Sequence, residues 1–410
     1  MHNKTTMVIP TYWTRDESIG PKEGDDVYDH PVPLNRNGTL KRLIESLSIL
    51  EDRDFDLVII AVSNARDIEP MVEKKVAGII SSVSSDIPIH LFSYSHLNRL
   101  HEILNRNEKD TMTSLLSLRG YSNIRNMCIF LPHVLGSDIA VLIDDDEVFE
   151  DKNFMKKARE FIGQTIDGEF IGAVGGYYLQ ENGDWRLKKD EKPWDRYWNK
   201  TEVMNKAFEE IIGKGPRLKQ TPFVFGGNMV IHREIFTRIP FDPRITRGED
   251  IDYLINVKMF GHKFFLDNLL TIKHLPPPKF YPVWMRHRED ILRFVFERSK
   301  LRGQEPIPGL SYVTVEELDP YPGAFLKDDL EQKVKGASEL LAEYYRKKDN
   351  MSYATEALKN IDIMLNEINH QKDAFKRIVH IKEQWEAMMK FVATPEIRTA
   401  MKDVLYQLNN

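Results

Sequence analysis

A chain of 410 residues has room for roughly two to three domains of ordinary size, and 41% hydrophobic with 29% charged residues is typical of a globular protein with a sizeable core. The 57 basic and 63 acidic side chains give a net charge of −6, which argues against a general nucleic-acid binder. Cys128 is the only cysteine, so an intrachain disulfide is excluded.

The amino-terminal region has no long apolar run, because Pro10 directly follows Met7, Val8 and Ile9. No stretch of the chain approaches the roughly eighteen apolar residues that a membrane-spanning helix needs. A single cysteine also fits a reducing compartment. The sequence therefore predicts a cytoplasmic location.

The first two-thirds of the chain alternate short apolar runs with helical segments, which is the pattern of an α/β domain. Leu40, Leu43, Ile44 and Leu47 recur at helical spacing between the first two runs and predict a strand–helix–strand unit. The predicted strands are residues 6–11, 55–62, 87–94, 139–143, 172–179, 223–231 and 262–267.

Two polar inserts interrupt this pattern. Residues 14–38 have little periodicity, and we expect them to form a loop over the carboxyl end of the first strand. Residues 181–200 carry aromatic side chains among many charges. Two interpretations of these rings stand side by side, a platform for the C–H faces of a sugar and local packing of the loop. The rings belong to Trp185, Trp194, Tyr197 and Trp198.

Four prolines at residues 303–323 break regular structure, and the chain beyond them is almost purely helical in pattern. Its apolar residues form three stripes, of which the second contains Ala354, Leu358, Ile361 and Leu365. Such stripes are typical of the inside of a helical bundle, and a dimer interface is the alternative. The sequence thus predicts an α/β domain over residues 1–303, a linker over 304–326 and a helical domain over 327–410.

Three consecutive aspartates, Asp144, Asp145 and Asp146, directly follow the apolar run 139–143. Like charges at this spacing repel, so folding must neutralise them or shift their pKa values. A divalent cation achieves this, because Mg²⁺ and Mn²⁺ prefer hard oxygen ligands. Open α/β sheets also bind their ligands at the carboxyl ends of strands. A solvated acidic turn is the alternative interpretation.

A second motif combines Gly226 and Gly227 with Glu249 and Asp250. The two glycines allow the backbone to approach a ligand closely. The two carboxylates begin a helical pattern, where acidic residues are favoured as part of the cap. If they face the first cluster across a cleft, they provide the base that a metal-assisted group transfer needs.

Taken in order, these motifs resemble the GT-A glycosyltransferases, especially the family-2-like group. The resemblance spans about residues 5–280. The insert at residues 14–38 departs from the family pattern, and so does the segment 63–67, in which an aspartate usually lies closer to the strand end. The matching segments are Met7-Val8-Ile9-Pro10-Thr11-Tyr12, Tyr121-Ser122-Asn123-Ile124-Arg125-Asn126, Leu142-Ile143-Asp144-Asp145-Asp146-Glu147, Gly226-Gly227-Asn228, Gly248-Glu249-Asp250 and Lys273-His274-Leu275-Pro276.

The resemblance implies a Rossmann-like GT-A domain followed by a helical region. It also implies metal-dependent transfer of a sugar from a UDP- or GDP-linked donor to a hydroxyl acceptor. Asp144, Asp146 and His274 are the implied ligands of Mg²⁺ or Mn²⁺, although a purely structural histidine is the alternative for His274. The residues implied in donor binding are Pro10, Thr11, Tyr12, Asn64, Arg125, Asp144, Asp145, Gly226 and Gly227.

The implied catalytic residues are Asp250, Glu249 and Arg125. Asp250 is the expected base if transfer inverts the anomeric centre, and it binds acceptor or donor sugar if transfer retains it. A nucleotidyltransferase is the alternative enzyme, but residues 10–16 lack the glycine-rich basic loop that such enzymes carry. A non-catalytic sugar-binding or scaffold protein is the alternative of another class. The expected partners are the donor and a sugar or small polar acceptor, with no nucleic acid and with a homo-oligomer through the C-terminal helices as an option.

Overall fold

The computed structural model describes residues 3–277, 281–371 and 373–407. Its strands are β1 (Thr5–Thr14), β2 (Val32–Pro33), β3 (Asp56–Ser63), β4 (Ile89–Phe92), β5 (Ile139–Ile143), β6 (Glu147–Val148), β7 (Thr165–Ile166), β8 (Glu169–Phe170), β9 (Ala173–Leu179), β10 (Leu218–Gln220), β11 (Asn228–His232) and β12 (Phe265–His274). Its helices are α1 (Leu40–Ser46), α2 (Glu69–Ser81), α3 (Tyr94–Arg106), α4 (Tyr121–Leu135), α5 (Phe154–Glu160), α6 (Lys200–Ile211), α7 (Arg233–Phe236), α8 (Glu249–Met259), α9 (Val283–Arg302), α10 (Leu330–Arg346), α11 (Met351–His370), α12 (Ala374–Val392) and α13 (Pro395–Gln407).

One mixed sheet organises the molecule, in the order β10-β12-β9-β11-β5-β1-β3-β4, with β2 beside β1 and β6 beside β12. The strands β4, β3, β1 and β5 are parallel to one another. Strand β11 is antiparallel to both β5 and β9, and β12 is parallel to β9. The carboxyl ends of β1, β5 and β12 therefore meet at the edge where β11 begins, which is the edge that binds ligands in open α/β sheets.

Both faces of the sheet are covered by apolar layers, which explains why its central strands are continuous apolar runs in the sequence. In β1, Val8 belongs to one buried cluster, while Met7 and Ile9 belong to the other. Helices α1, α2 and α5 cover one face, and α4, α8, α9 and the C-terminal helices cover the other. The predicted α/β class is thus confirmed.

The bounds of β1 and β4 also differ from the predicted 6–11 and 87–94, but two other predicted strands differ most from the structure. The prediction for residues 223–231 was too long at its start, because Gly226 and Gly227 form a turn and β11 begins only at Asn228. The prediction for residues 262–267 was too short, because β12 continues beyond an irregularity between Leu266 and Thr271 and ends at His274. Both differences bring polar residues to the ligand-binding edge of the sheet.

The insert at residues 14–38 covers the carboxyl end of β1, as predicted. Its β2 pairs with Trp13 and Thr14 at that end. Tyr28 is buried against Tyr12 and Tyr121, with ring centroids 4.7 and 5.0 Å away. The insert therefore forms one wall above the sheet edge.

The aromatic side chains of the second insert pack within the protein. The Trp194 ring lies 5.3 Å from Tyr344, and the Trp198 ring lies 4.9 Å from Phe325, between ring centroids. Both tryptophans are buried. For these two rings the structure favours local packing over a sugar platform.

The C-terminal helices continue the core on one face of the sheet. Trp385 of α12 is fully buried, and its indole nitrogen donates a hydrogen bond to the Phe236 carbonyl at 2.9 Å. In α11 the buried face is Ala354, Ala357 and Met364, whereas Leu365 is half exposed. The predicted stripe is therefore confirmed at Ala354 and at Leu358, which packs against the core, and wrong at Leu365.

The predicted boundary near residue 303 follows the end of α9, while the buried cluster extends across it into α10–α13. The division into two domains and the oligomer stay predictions. None of the helices within the described ranges has the length and apolar character needed to cross a membrane.

Candidate active site

A cavity of about 270 Å³ opens at the edge of the sheet where β5 and β12 end and β11 begins. Residues from distant parts of the chain line it, because the carboxyl ends of parallel strands converge at that edge. Carboxylates after β5 form one side, and the amino terminus of α8 forms another. The charged residues in its lining are Asp29, His30, Arg125, Asp144, Asp145, Asp146, Lys200, Arg247, Glu249, Asp250, His274 and Arg293.

The three aspartates after β5 have different environments. Asp145 accepts a hydrogen bond from Thr11 at 2.6 Å, and burial followed by the neighbouring Asp146 raises its pKa well above the ordinary value. Burial also raises the pKa of Asp144, although Arg125 opposes this. A group of buried carboxylates that raise one another's pKa values favours a cation among them.

Asp146 contacts His274, which the sequence predicted as a metal ligand. Its Oδ2 lies 3.3 Å from Nε2 of His274. Burial acts to raise the pKa of Asp146, but the hydrogen bond and charge of His274 outweigh it and lower the pKa. The His274 ring stacks on Tyr178 with centroids 4.7 Å apart, which fixes its orientation. The end of β12 thus brings an imidazole to the acidic cluster.

Glu147 lies beneath the cluster and is completely buried. Its Oε2 accepts a hydrogen bond from the Asp144 backbone at 3.1 Å, and burial with repulsion from Asp144 raises its pKa well above the ordinary value. A Cβ on Gly227 would lie 2.3 Å from Glu147 Oε1 and 2.7 Å from Asp144 Cγ. This glycine is therefore required by close contact with the acidic cluster.

Gly227→Ala is expected to displace the Asp144 and Glu147 side chains, because a contact below 3.0 Å forces one of the two groups to move. We expect nucleotide affinity in the presence of Mn²⁺ to fall by about tenfold or more, the scale on which residues supporting metal ligands act. Calorimetric titration with UDP and GDP measures this. Gly78→Ala in α2 is the control, since nothing lies within 4 Å of the Cβ it would gain and its backbone is helical, and an equal loss in that variant would contradict the explanation.

Arg125 of α4 connects the two acidic motifs. Its Nη2 lies 2.8 Å from Asp144 Oδ1, and its Nε donates to Glu249 Oε1 at 3.1 Å. The residue is buried, and its Nη1 has no hydrogen-bond partner among the described residues. Gly226 makes this position possible, because a Cβ there would lie 2.6 Å from Nη2. A buried guanidinium with an unused donor is suited to bind an anionic group.

Asp250 is held by two backbone hydrogen bonds at the start of α8. Its Oδ2 accepts from the Gly226 amide at 3.1 Å, and its Oδ1 accepts from the Ile251 amide at 2.8 Å. Its neighbour Glu249 is buried, and that burial raises its pKa to about 7 against the effect of Arg125. The N-cap of α8 is Gly248 and no side chain caps the helix, so Glu249 and Asp250 are first-turn residues and not caps. Both line the same cavity as the acidic cluster, as predicted.

A buried acid lies one helical turn from Arg293 of α9, which lines the cavity. Glu297 of α9 is fully buried, and neither carboxylate oxygen has a hydrogen-bond partner within the described residues. Burial raises its pKa to about 8, although Arg293 opposes this. The folded protein therefore holds a proton on Glu297 at neutral pH, where the unfolded chain releases it.

The free energy of unfolding is expected to decrease as pH rises from about 4.5 to about 8, because in this window the unfolded chain loses the Glu297 proton before the folded state does. Glu297→Gln keeps the shape without the ionisation. At pH 9 we expect the variant to be more stable than the parent by on the order of 4 kcal/mol, with little difference at pH 4. Denaturant unfolding at both pH values measures this, and a pH-independent difference would contradict it.

The structure brings together most residues that the sequence predicted for the site. Thr11 lies behind the cavity on Asp145, and Gly227 packs on the acidic cluster. Pro10 and Asn64 do not line the cavity. Asn64 is fully buried, and its backbone bonds to Trp13 and Asp26 within the layer formed by β1 and the first insert. The predicted residues that line the cavity are Tyr12, Arg125, Asp144, Asp145, Asp146, Gly226, Glu249, Asp250 and His274.

Several residues of the cavity were not predicted from the sequence. Tyr178 accepts the Gly227 amide hydrogen bond at 2.8 Å and stacks on His274. Lys200, Arg247 and Arg293 also line the cavity, and Asp290 lies 2.7, 3.7 and 3.8 Å from them. Of these, Arg247 could have been predicted from the sequence, because it lies just before the acidic pair in the motif Arg247-Gly248-Glu249-Asp250. Lys200 and Arg293 come from separate helices and have no local signal.

No protein-family model and no curated protein sequence matches the chain. Among solved structures, it is similar to the mannosyltransferase PcManGT from Pyrobaculum calidifontis in complex with GDP-Man and Mn²⁺, at 13% identity over 97% of this chain and 88% of that one, with a TM-score of 0.48. It is also similar to GalNAc-T7 with UDP, GalNAc and Mn²⁺, at 14% identity over 77% and 54% of the two chains, with a TM-score of 0.33. A third is mouse xyloside xylosyltransferase 1, at 11% identity over 56% and 66%, with a TM-score of 0.28. Identities and TM-scores this low carry no argument about function.

Proposed function

We propose that the protein is a metal-dependent glycosyltransferase that moves a sugar from a nucleoside-diphosphate donor to a hydroxyl group of an acceptor. The observation that carries this proposal is the double contact of Arg125, which reaches Asp144 of the acidic cluster at 2.8 Å and Glu249 beside Asp250 at 3.1 Å. The cavity thus joins an acidic cluster suited to a cation with a separate carboxylate. A metal-assisted transfer needs both, because the cation neutralises phosphate charge and the carboxylate acts as the base.

The residues at the end of β5 fit a divalent cation. Asp144 and Asp146 supply hard oxygen ligands, and His274 lies 3.3 Å from Asp146. Among the described residues, no group of three or more acidic, histidine or cysteine side chains is placed so that it could hold a metal ion by itself. A Mg²⁺ or Mn²⁺ ion at Asp144 and Asp146 would therefore need donor phosphates and water as its other ligands. When bound, the cation neutralises negative charge on the departing diphosphate.

The chain's own residues account for the remaining steps. Arg125 lines the cavity, is held in place by Asp144 and Glu249, and would stabilise the negative charge of the diphosphate. The acceptor oxygen bonds to the anomeric carbon while the bond from that carbon to the donor phosphate oxygen breaks. In an inverting transfer, Asp250 accepts the proton that the acceptor hydroxyl releases. Its two backbone hydrogen bonds leave a lone pair on each oxygen for this role.

Incubation with a panel of UDP- and GDP-sugars and Mn²⁺ or Mg²⁺ tests the proposal. We expect slow release of the nucleoside diphosphate from at least one donor, with water acting as acceptor, and loss of this release when EDTA removes the cation. Release of pyrophosphate from a nucleoside triphosphate and a sugar phosphate would identify a nucleotidyltransferase instead. Absence of both turnover and nucleotide binding across the panel would contradict an enzyme of either kind.

A further inference from the structure

Tyr178 lies beside the candidate cation site, although it is not one of the predicted ligands. It is near the carboxyl end of β9, which pairs in parallel with β12. This pairing brings Tyr178 beside His274, the last residue of β12, and the tyrosine side chain lines the cavity. Its ring and its hydroxyl make separate contacts there, and each contact reaches a different side of the site.

The ring of Tyr178 supports the imidazole of His274. The two rings stack with centroids 4.7 Å apart and planes 25° from parallel, and the Tyr178 ring also packs against Phe225 at 4.7 Å. A histidine that binds a metal is usually oriented by a hydrogen bond from its second ring nitrogen. In His274, Nε2 lies 3.3 Å from Asp146 Oδ2, and Nδ1 has no hydrogen bond to any of the described residues. The stack on Tyr178 therefore takes the place of that bond.

The hydroxyl of Tyr178 supports the acidic side of the site. It accepts a hydrogen bond from the Gly227 amide at 2.8 Å. Gly227 belongs to the turn before β11, and this turn packs directly on the acidic cluster, because a Cβ on Gly227 would lie 2.7 Å from Asp144 Oδ2. The hydrogen bond thus holds the turn in contact with the carboxylate, and one side chain contacts both halves of the site.

Support of this kind matters because the last torsion of a histidine side chain has a broad range. An imidazole without a neighbouring ring rotates readily, and rotation of His274 turns Nε2 away from Asp146. Ligands bind a cation only when they converge on one point, and residues that orient them typically contribute about ten- to a hundredfold to metal affinity.

We infer that Tyr178 is a positioning residue of the cation site, which holds the His274 imidazole beside Asp146 through its ring and the Gly227 turn against Asp144 through its hydroxyl. The inference rests on the proposed metal-dependent transfer and adds to it a residue that does not itself bind the cation. It also explains why the end of β9, which supplies no predicted ligand, lines the cavity.

Two substitutions separate the contributions of the ring and the hydroxyl. Tyr178→Leu removes both, whereas Tyr178→Phe removes the hydroxyl and keeps the stack. Calorimetric titration measures the gain in UDP or GDP affinity that Mn²⁺ provides. We expect this gain to fall by about tenfold or more in Tyr178→Leu and by about two- to fivefold in Tyr178→Phe. In a His274→Ala background the two variants should become equal, because the ring then has no imidazole to hold.

Pulsed EPR of the bound Mn²⁺ reports on the imidazole directly, since a coordinated nitrogen modulates the manganese signal. We expect this nitrogen modulation in the parent protein and in Tyr178→Phe, and its loss in Tyr178→Leu and in His274→Ala. Tyr177→Leu is the matched control, because it removes a tyrosine from the same strand whose side chain packs in the core outside the cavity lining. This variant should keep the Mn²⁺ effect and the nitrogen modulation even if its unfolding temperature falls.

An unchanged Mn²⁺ effect and nitrogen modulation in Tyr178→Leu would overturn the inference, and so would an equal loss in Tyr177→Leu. If Tyr178→Leu does not fold, Tyr178→Phe decides, and an undiminished Mn²⁺ effect in that variant would overturn the inference. A parent protein that binds Mn²⁺ and nucleotide without nitrogen modulation would overturn it too, while the proposed transfer would remain supported by Asp144 and Asp146. Absence of any Mn²⁺-dependent nucleotide binding by the parent protein would overturn both.

Discussion

Asp146→Ala is expected to abolish sugar transfer and to remove the cation dependence of nucleotide binding. Asp146 is buried, and its lowered pKa keeps the carboxylate ionised beside His274. The substitution removes a charged ligand and leaves His274 without its partner at 3.3 Å. We expect the gain in UDP or GDP affinity that Mn²⁺ gives the parent protein to fall by more than about a hundredfold. Calorimetric titration with and without Mn²⁺ measures that gain directly.

Two further variants separate the metal role from a role in folding. Asp146→Asn keeps the size and one acceptor oxygen, so it should lose the Mn²⁺ effect with little change in unfolding temperature. Asp151→Asn removes a carboxylate paired with Lys157 outside the cavity and should behave like the parent protein. An undiminished Mn²⁺ effect in Asp146→Ala would exclude Asp146 as a ligand. Loss of nucleotide affinity together with a much lower unfolding temperature would indicate a structural role.

The central strands could be predicted because their signal is local. Strand β5 is an apolar run whose bounds, Ile139–Ile143, match the prediction, and the aspartates that follow mark its carboxyl end. In contrast, β12 was predicted too short because its second half lies beyond an irregularity in pairing with β9. In α11, the buried polar residue Asn360 contacts Arg288 and the Trp284 carbonyl, so apolar spacing alone does not indicate the part of the helix that is most buried.

Residues of the candidate site could be predicted only where a short sequence motif contains the reactive side chains. The acidic cluster, the Glu249–Asp250 pair and the two glycines were all identified in the sequence. For Gly227 the expected reason was backbone approach to a ligand, whereas the structure shows close contact with Glu147 and Asp144. Lys200 and Asp290 are 90 residues apart and pair only because α6 and α9 pack together. No pattern within either helix indicates the partner, so the cluster of Lys200, Arg247 and Arg293 around Asp290 could not be predicted from the sequence.

Asp250→Asn is expected to separate catalysis from donor binding. The side chain accepts backbone hydrogen bonds from Gly226 and Ile251, and asparagine keeps one of these acceptor positions and the size of the group. What it loses is the ability to take a proton. We therefore expect Mn²⁺-dependent nucleotide affinity to stay within about twofold of the parent value while transfer slows by roughly a hundredfold or more, the usual scale for loss of a general base.

Asp250 suits this role because it is separate from the cation-binding residues. Its hydrogen bonds go to the Gly226 and Ile251 amides and not to Asp144 or Asp146, so we expect Asp250→Asn to leave those two carboxylates in place. Asp110→Asn is a matched control, since Asp110 is an exposed carboxylate that also occupies the first turn of a short helical segment. Donor affinity and transfer rate should be measured on the same preparation. Normal transfer by Asp250→Asn would remove this carboxylate from the mechanism, and a parallel loss of donor affinity would make it part of the donor site, because a base that acts only on the acceptor hydroxyl contributes nothing to holding the nucleotide.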